Sequence, residues 1–381
     1  ASCHNARCAE MLAAAEQRGH AVCVAYVPGS PMAFGFEWGS SVEQYARFSK
    51  HVYVISDGGQ LGHTQRIEEI PFLVEKGISY DVVTLDEYKK RWPFGPRQPT
   101  LKECYEHALA HKPDDVFTWY NLGLEGGGRV GGIPKTERQC YETALTHKPD
   151  FAEAWHELGL AGGGAVNEML TTERECYETA LTHKPHFADA WNNLGTVGGG
   201  EVSGIQRSPT ECYETALCYE PDDAYAWNNL GAVGGGCVHG TQRTETECYE
   251  AALIHKPDYA NAWYNLGTMG GGCVCGMRKS SKECYEAALG HKPDDADAWY
   301  KLGTTGGGYV KGRQKTSKEC MELALTHKPD HAEAWCGLGI AGGGWVRGTL
   351  RTERECFEGA LSYEPDFSYA WQGLGYLGGG R

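Results

Sequence analysis

The sequence contains no Asn-x-Ser/Thr sequon, and its first 95 residues hold no G-x-G-x-x-G fingerprint, no phosphate-binding P-loop and no nucleophile elbow. It has no apolar run approaching the ~18 residues that a membrane-spanning helix needs. Cations are also scarce: 35 Lys and Arg stand against 50 Asp and Glu, a formal net charge of −15. That balance argues against a nucleic-acid binder, whose affinity comes largely from cations placed on phosphates. It argues equally against adhesion to anionic lipid through basic patches, and neither nucleic acid nor membrane insertion is expected. No cofactor is implied by any motif. Two residues are in excess instead: 52 of the 381 positions are Gly, about twice the usual share, and 16 are Cys.

Both excesses have largely one source, a repeat. Trp119, Trp155, Trp191, Trp227, Trp263, Trp299, Trp335 and Trp371 follow one another at 36 residues without an insertion. Cys104, Cys140, Cys176, Cys212, Cys248, Cys284, Cys320 and Cys356 keep the same step, as do eight prolines from Pro113 to Pro365 and eight Gly triplets. An unbroken period of this size marks stacked supersecondary units.

The unit at 172–207 shows the local logic. Thr172 with Glu175 forms a capping box, and an equivalent pair opens every unit: Thr100/Glu103, Thr136/Gln139, Ser208/Glu211, Thr244/Glu247, Ser280/Glu283, Thr316/Glu319 and Thr352/Glu355. Tyr177, Ala180 and Leu181 then fall at helical spacing, and Pro185 stops a helix of about twelve residues. A second helix carries Trp191 and Leu194 on one face, with Gly195 allowing a neighbour to approach closely. It should end at the triplet 198–200, because each glycine costs a helix about 0.5–1 kcal/mol. Val202-Ser203-Gly204 and its equivalents then suit a tight turn or small hairpin.

The pattern resembles the tetratricopeptide repeat (TPR). Trp155, Leu158 and Gly159 match that family's first helix, and Tyr177, Ala180 and Pro185 its second. The likeness recurs across 100–381. The period here is 36 rather than the family's 34, and the Gly triplet replaces the aromatic end of the first helix. The resemblance implies a mainly α, helix-pair solenoid of about eight units that binds protein segments and performs no catalysis. Physical reasoning agrees, since one unit cannot bury its apolar face alone and stacking must supply the core. Trp, Leu, Tyr and Ala at the fixed positions are therefore expected in that core. The array opens and closes on half-units. Either the chain continues or a neighbour covers those faces, and a second copy there would give a head-to-tail fibre.

Eight of the cysteines share one helical position. Equivalent points on stacked helix pairs lie ~10 Å apart, beyond the ~7 Å between Cα atoms that a disulfide allows. Small, buried, reduced thiols are expected, which together with the missing sequon leans towards an intracellular, reducing compartment without excluding extracellular assembly. His111, His147, His183, His255, His291 and His327 recur in His-Lys-Pro, but Tyr219 and Tyr363 replace two of them. They read as cations at helix C-termini rather than metal ligands. Cys237-x-His239 and Cys273-x-Cys275 occupy the same loop in adjacent units. Alternation in an extended loop would turn each pair to one side, a donor set chemically suited to zinc, although decoration of a variable loop is the simpler reading.

Residues 1–91 do not repeat. Helices at 5–18, 37–50 and 64–76 alternate with strands at 21–27, 51–55 and 80–85, the pattern of a small Rossmann-like α/β domain with a parallel sheet. A further strand before Ala1 is expected. A Pro-rich linker at 92–99 leads into the solenoid at 100–381. Ligands of such sheets bind beyond the strands' carboxyl ends, here the loops 28–39 and 56–64. Gly29, Ser30, Gly58 and Gly59 would admit a phosphate or sugar, and Glu37, Asp57 and His63 are candidates for acid–base work. The Phe36-Glu37-Trp38-Gly39 stretch is faintly similar to nucleoside deoxyribosyltransferase-like domains, which implies a nucleophilic carboxylate at Glu37. The same residues also read as a helix-start carboxylate and a plain turn.

The leading expectation is a non-enzymatic interaction or structural scaffold that binds a protein partner or itself. The alternative is a nucleoside- or nucleotide-processing or -binding N-terminal domain delivered by a TPR-like adaptor. Directly after the Gly triplets the units differ: Arg129, Ala165, Glu201, Cys237, Cys273, Tyr309 and Trp345. If one surface selects a partner it is that loop edge, with Tyr309 and Trp345 as anchors and Arg129 beside them.

Overall fold

The computed structural model describes three strands, at 22–24, 51–56 and 79–84, and the continuous stretch 100–378. The chain divides into two units, Ala1–Leu101 and Lys102–Arg381, each described here by itself. In the first, β1 (Val22–Val24), β2 (His51–Ser56) and β3 (Ser79–Thr84) pair in that order, both pairings parallel. Their registers run Val22↔Val52 and His51↔Ser79. The helices expected between them lie outside the described residues, and so do the Rossmann-like architecture, the linker 92–99, Gly29, Ser30, Glu37, Asp57, Gly58, Gly59 and His63.

The second unit is a regular alternation of two helices and a hairpin. One helix carries the cysteine and is called the Cys helix; the other carries the tryptophan and is called the Trp helix. In the repeat read above the Cys helix is Glu173–His183, eleven residues, and the Trp helix is Ala188–Thr196, nine residues. Two three-residue strands, Gly200–Val202 and Ile205–Arg207, lead into the next Cys helix, Pro209–Tyr219.

The Cys helix starts where the capping box places it. The boxes from Thr136/Gln139 to Thr352/Glu355 all close, the hydroxyl accepting from the N3 amide and the N3 side chain accepting from the N-cap amide. Two orphan donors per helix are thereby satisfied. The Trp helix ends one step before the triplet. Gly199 N–H donates to Leu194 O at 2.9 Å and Gly198 N–H to Gly195 O at 3.1 Å, the paired bonds of a Schellman motif. Both glycines hold positive φ, +92° and +75°. A side chain on Gly199 would collide with the Arg207 carbonyl, so the second glycine also seats the hairpin under the helix.

The core is the repeated alphabet. Trp191, Leu194, Val202, Cys212, Tyr213, Ala216 and Leu217 are buried, and so are their equivalents through the middle units. Each Trp helix packs on the Cys helix that follows it. A Cβ on Gly195 would lie 2.5 Å from Cε1 of Tyr213, so the missing side chain is what admits the ring. The same fit recurs from Gly123 against Tyr141 to Gly339 against Phe357. The tryptophans are not purely apolar fillers. Every repeat indole donates its Nε1–H to the carbonyl of the proline six residues earlier, from Trp119 to Pro113 through Trp371 to Pro365, at 2.7–2.8 Å. Proline and tryptophan therefore keep one period because they are one hydrogen-bonded pair. The expected core loosens at the two ends: Tyr105, Ala108, Leu361 and Leu374 are half-buried, and Trp371 is 58% exposed, since no Cys helix follows it among the described residues.

Candidate interaction surface

Each hairpin turns through two residues of positive φ. At Ser203 and Gly204 the angles are 53° and 78°, the combination of a type I′ turn, whose twist matches the strands on either side. Pairing is antiparallel, for instance Tyr309↔Gln314 and Trp345↔Leu350. Strand alternation then divides the residues between two faces. Val202, Val238, Val274, Val310 and Val346 point into the core and are buried. The residue just before each valine points away from it. Arg129, Ala165, Glu201, Cys237, Cys273, Tyr309 and Trp345 are all exposed.

A glutamate fixes the backbone at every one of these positions. Glu106, Glu142, Glu178, Glu214, Glu250, Glu286 and Glu322 each place Oε1 at 2.5–2.7 Å from the amide N of the exposed residue 23 positions later. That N–H points outward from the hairpin, because the central cross-strand pair does not exchange backbone bonds. The carboxylate therefore ties each hairpin to the Cys helix before it and covers a donor that another strand could otherwise recruit. The sequence carries this signal plainly, a glutamate two residues after every repeat cysteine, yet only the fold shows its partner.

The Trp-helix side is occupied by internal bonds. Asn229 Nδ2 donates to Asn192 Oδ1 and Asn265 Nδ2 to Asn228 Oδ1, both at 3.0 Å, and Asn193 Nδ2 lies 2.9 Å from Nε2 of His156. His156 is buried, and its Nδ1 is 3.2 Å from Glu157. With Nε2 accepting from Asn193, Nδ1 carries the proton that faces the carboxylate. A groove of about 580 Å³ near the start of the array is lined by Phe117, Tyr120, Phe151, Lys148, Lys184 and His186, among others. Its lysines are already engaged: Lys148 lies over the Phe117 and Phe151 rings, and Lys184 is 2.8 Å from Glu153. Burial, with Glu157 and Glu153 near it, pushes the Tyr120 phenol up to about 12.

The thiols separate into two kinds. Those at the repeat position are free and, from Cys140 to Cys356, buried, as is Cys336; burial pushes Cys212, Cys248, Cys284 and Cys320 up to about 12. Cys218, Cys237, Cys273 and Cys275 are free and exposed. The pairs Cys237/His239 and Cys273/Cys275 do not share one extended face as the spacing suggested. His239 (φ 48°) and Cys275 (φ 49°) occupy the first turn position, where alternation has ended. Among the described residues no three His, Cys, Asp or Glu side chains come together as a metal set.

Helix pairs stack with the Trp-Leu-Gly face of one helix against the Tyr/Ala-Leu face of the next, each pair closed by proline. The array is a TPR-like repeat. No family model matches the chain, and no curated protein matches it. Solved structures similar to it include two helical-repeat proteins. The protective antigen c5321 of uropathogenic Escherichia coli strains, described as displaying an SLR fold, is 15% identical over 84% of this chain and 67% of its own, with a TM-score of 0.49. YrrB, described as a TPR protein with an unusual peptide-binding site, is 12% identical over 71% of this chain and 97% of its own, with a TM-score of 0.24. No helix in the described part of the TPR-like array is long and apolar enough to cross a membrane.

Proposed function

We propose that the TPR-like array is a non-enzymatic scaffold that presents its hairpin edge to a protein partner. One observation carries the reading: the units repeat the same buried residues and the same glutamate tie, and they change the exposed residue at the centre of each hairpin. A surface built to be uniform inside and varied outside suits recognition. The amides of the Trp-helix side, by contrast, bond one another across units and offer few free donors. Tyr309 and Trp345, 59% and 57% exposed, are the large side chains of that edge and serve as its anchors. Arg129 holds the same place in the first hairpin.

A photocrosslinking residue at 309 and 345, with one at the exposed Trp-helix position 261 for comparison, tests this. Adducts from 309 and 345 that disappear when the neighbouring anchor is changed to Ser support it. Adducts confined to 261, or binding that ignores the double change Tyr309→Ser/Trp345→Ser, overturn it. The same reading allows the partner to be a second copy, added head-to-tail. Mass by light scattering over a concentration series decides that point: growth with concentration supports self-assembly, and a constant monomer mass removes it.

A further inference from the structure

The last three complete hairpins, within 272–280, 308–316 and 344–352, form the one uninterrupted cationic run of the edge. Together they carry Arg278, Lys279, Lys311, Arg313, Lys315, Arg347 and Arg351 and no Asp or Glu; of the four earlier hairpins, two contain an acid, Glu168 or Glu201, and 236–244 has Arg243 alone among Lys and Arg. Their strand-ending cations are partly neutralised: Lys279, Lys315 and Arg351 lie 3.9, 3.7 and 3.9 Å from the capping glutamates Glu283, Glu319 and Glu355. Arg278, Lys311, Arg313 and Arg347 are exposed and form no ion pair among the described residues. Large apolar side chains stand among them, with Met277 and Leu350 60% exposed beside Tyr309 and Trp345. Trp345 is paired across the strands with Leu350 and Cys273 with Arg278, so cation and apolar contact share the outer faces.

We propose that these three hairpins dock an extended, acidic segment of a partner protein that also carries large apolar residues. The proposal rests on the scaffold reading above and adds the chemistry of what is bound. Charge complementarity is its first support. A chain of net charge −15 repels an anionic partner over most of its surface, so attraction has to be local, and unpaired cations without neighbouring acids are where it is found. Leu350, across the strands from Trp345, and the exposed Met277 on the first of the three hairpins are its second support. They favour a peptide with apolar side chains over a phosphate backbone, whose contacts are chiefly cationic. Spacing supplies the form of the segment. Units about one helix diameter apart, ~10 Å, match three residues of extended chain at ~3.3 Å each.

The test uses the full chain and a fluorescein-labelled peptide of four Glu-Leu-Glu tripeptides, read by anisotropy at low salt. The expected result is saturable binding that weakens with added salt. The triple change Lys311→Glu, Arg313→Glu and Arg347→Glu should weaken it at least tenfold, and Lys112→Gln, at an exposed cation outside the hairpins, should leave it unchanged. Should the reversals disturb folding by circular dichroism, the same three positions changed to Gln should still weaken binding several-fold. The proposal is overturned if the peptide does not bind, if the triple change has no effect, if a peptide of Glu-Gly-Glu tripeptides binds as well, or if oligo(dT) of equal length binds more tightly. Crosslinks from 309 and 345 to a partner, combined with indifference to charge reversal, would sink the acidic specificity and leave the scaffold reading standing.

Discussion

At the scale of single residues, the array depends on atoms that are absent as much as on those present. Gly195 has no Cβ because the Tyr213 ring is there, and replacing it with Ala forces ring or helix to move. Gly195→Ala is expected to cost about 1–3 kcal/mol, the range for overpacking, read from urea unfolding of the full chain. The repeat thiols are kept neutral by burial, which pushes Cys212 up to about 12. A thiol raised in the fold stabilises it below the unfolded value of 9.0, and that stability is lost as pH climbs through the folded value. Iodoacetamide at pH 8 should therefore alkylate Cys218, Cys237, Cys273 and Cys275 in the folded protein and reach Cys212, Cys248 and Cys284 only on unfolding. Peptide mass mapping checks the order. The buried thiols were legible in the sequence from their single helical position. The indole-to-proline bond was not, because a constant spacing of two residues does not say which atoms meet.

Helices and hairpins obey different local rules, and the sequence announced them unequally. Helix starts were legible because Ser or Thr followed by Glu or Gln at the third position is a local bonding scheme. Helix ends were nearly so. The triplet does stop the Trp helix, but as a Schellman close plus the first strand residue, so the strand begins inside what looked like a glycine spacer. The hairpin's tie could not be read, since it joins residues 23 apart on separate elements. Glu286→Ala should release the Tyr309 amide. Hydrogen exchange at that amide should quicken, with a global loss of about 1–2 kcal/mol as for an ordinary charge-assisted bond at a surface. The capping boxes add a pH signature. The Thr244 amide and then its hydroxyl hold Glu247 below the usual carboxylate range, and Glu211, Glu283, Glu319 and Glu355 are held likewise. A depressed carboxyl stabilises the fold above its unfolded value of 4.5, and the contribution fades as pH falls through the folded value. The urea midpoint should therefore drop below about pH 4.5. Changing these glutamates to Gln, the residue Gln139 already supplies in one box, should flatten that drop.

Across the whole molecule, every bond described between units joins a unit to its immediate neighbour. The glutamate ties stay inside a unit, 23 residues apart, and the amide links reach only the next unit, 37 residues on. Stability of such a stack is close to a sum of unit and interface contributions. Removing residues 209–244 takes out one 36-residue period and brings Ser208 up to Glu245, so Ser208 and Glu247 form the capping box that Ser208 and Glu211 formed before. Gly195 would then receive Tyr249 in place of Tyr213. The shortened chain is expected to fold with the same circular dichroism per residue and a denaturant slope reduced in proportion to its length; a collapse of cooperativity would show that the units are not independent in this way. The capping box thus has a second property beyond satisfying two amides. It is an interchangeable seam: any unit's Ser or Thr fits any unit's Glu or Gln, so units can be cut and rejoined there without a new kind of contact, and the number of units is the one quantity that no bond in the array measures.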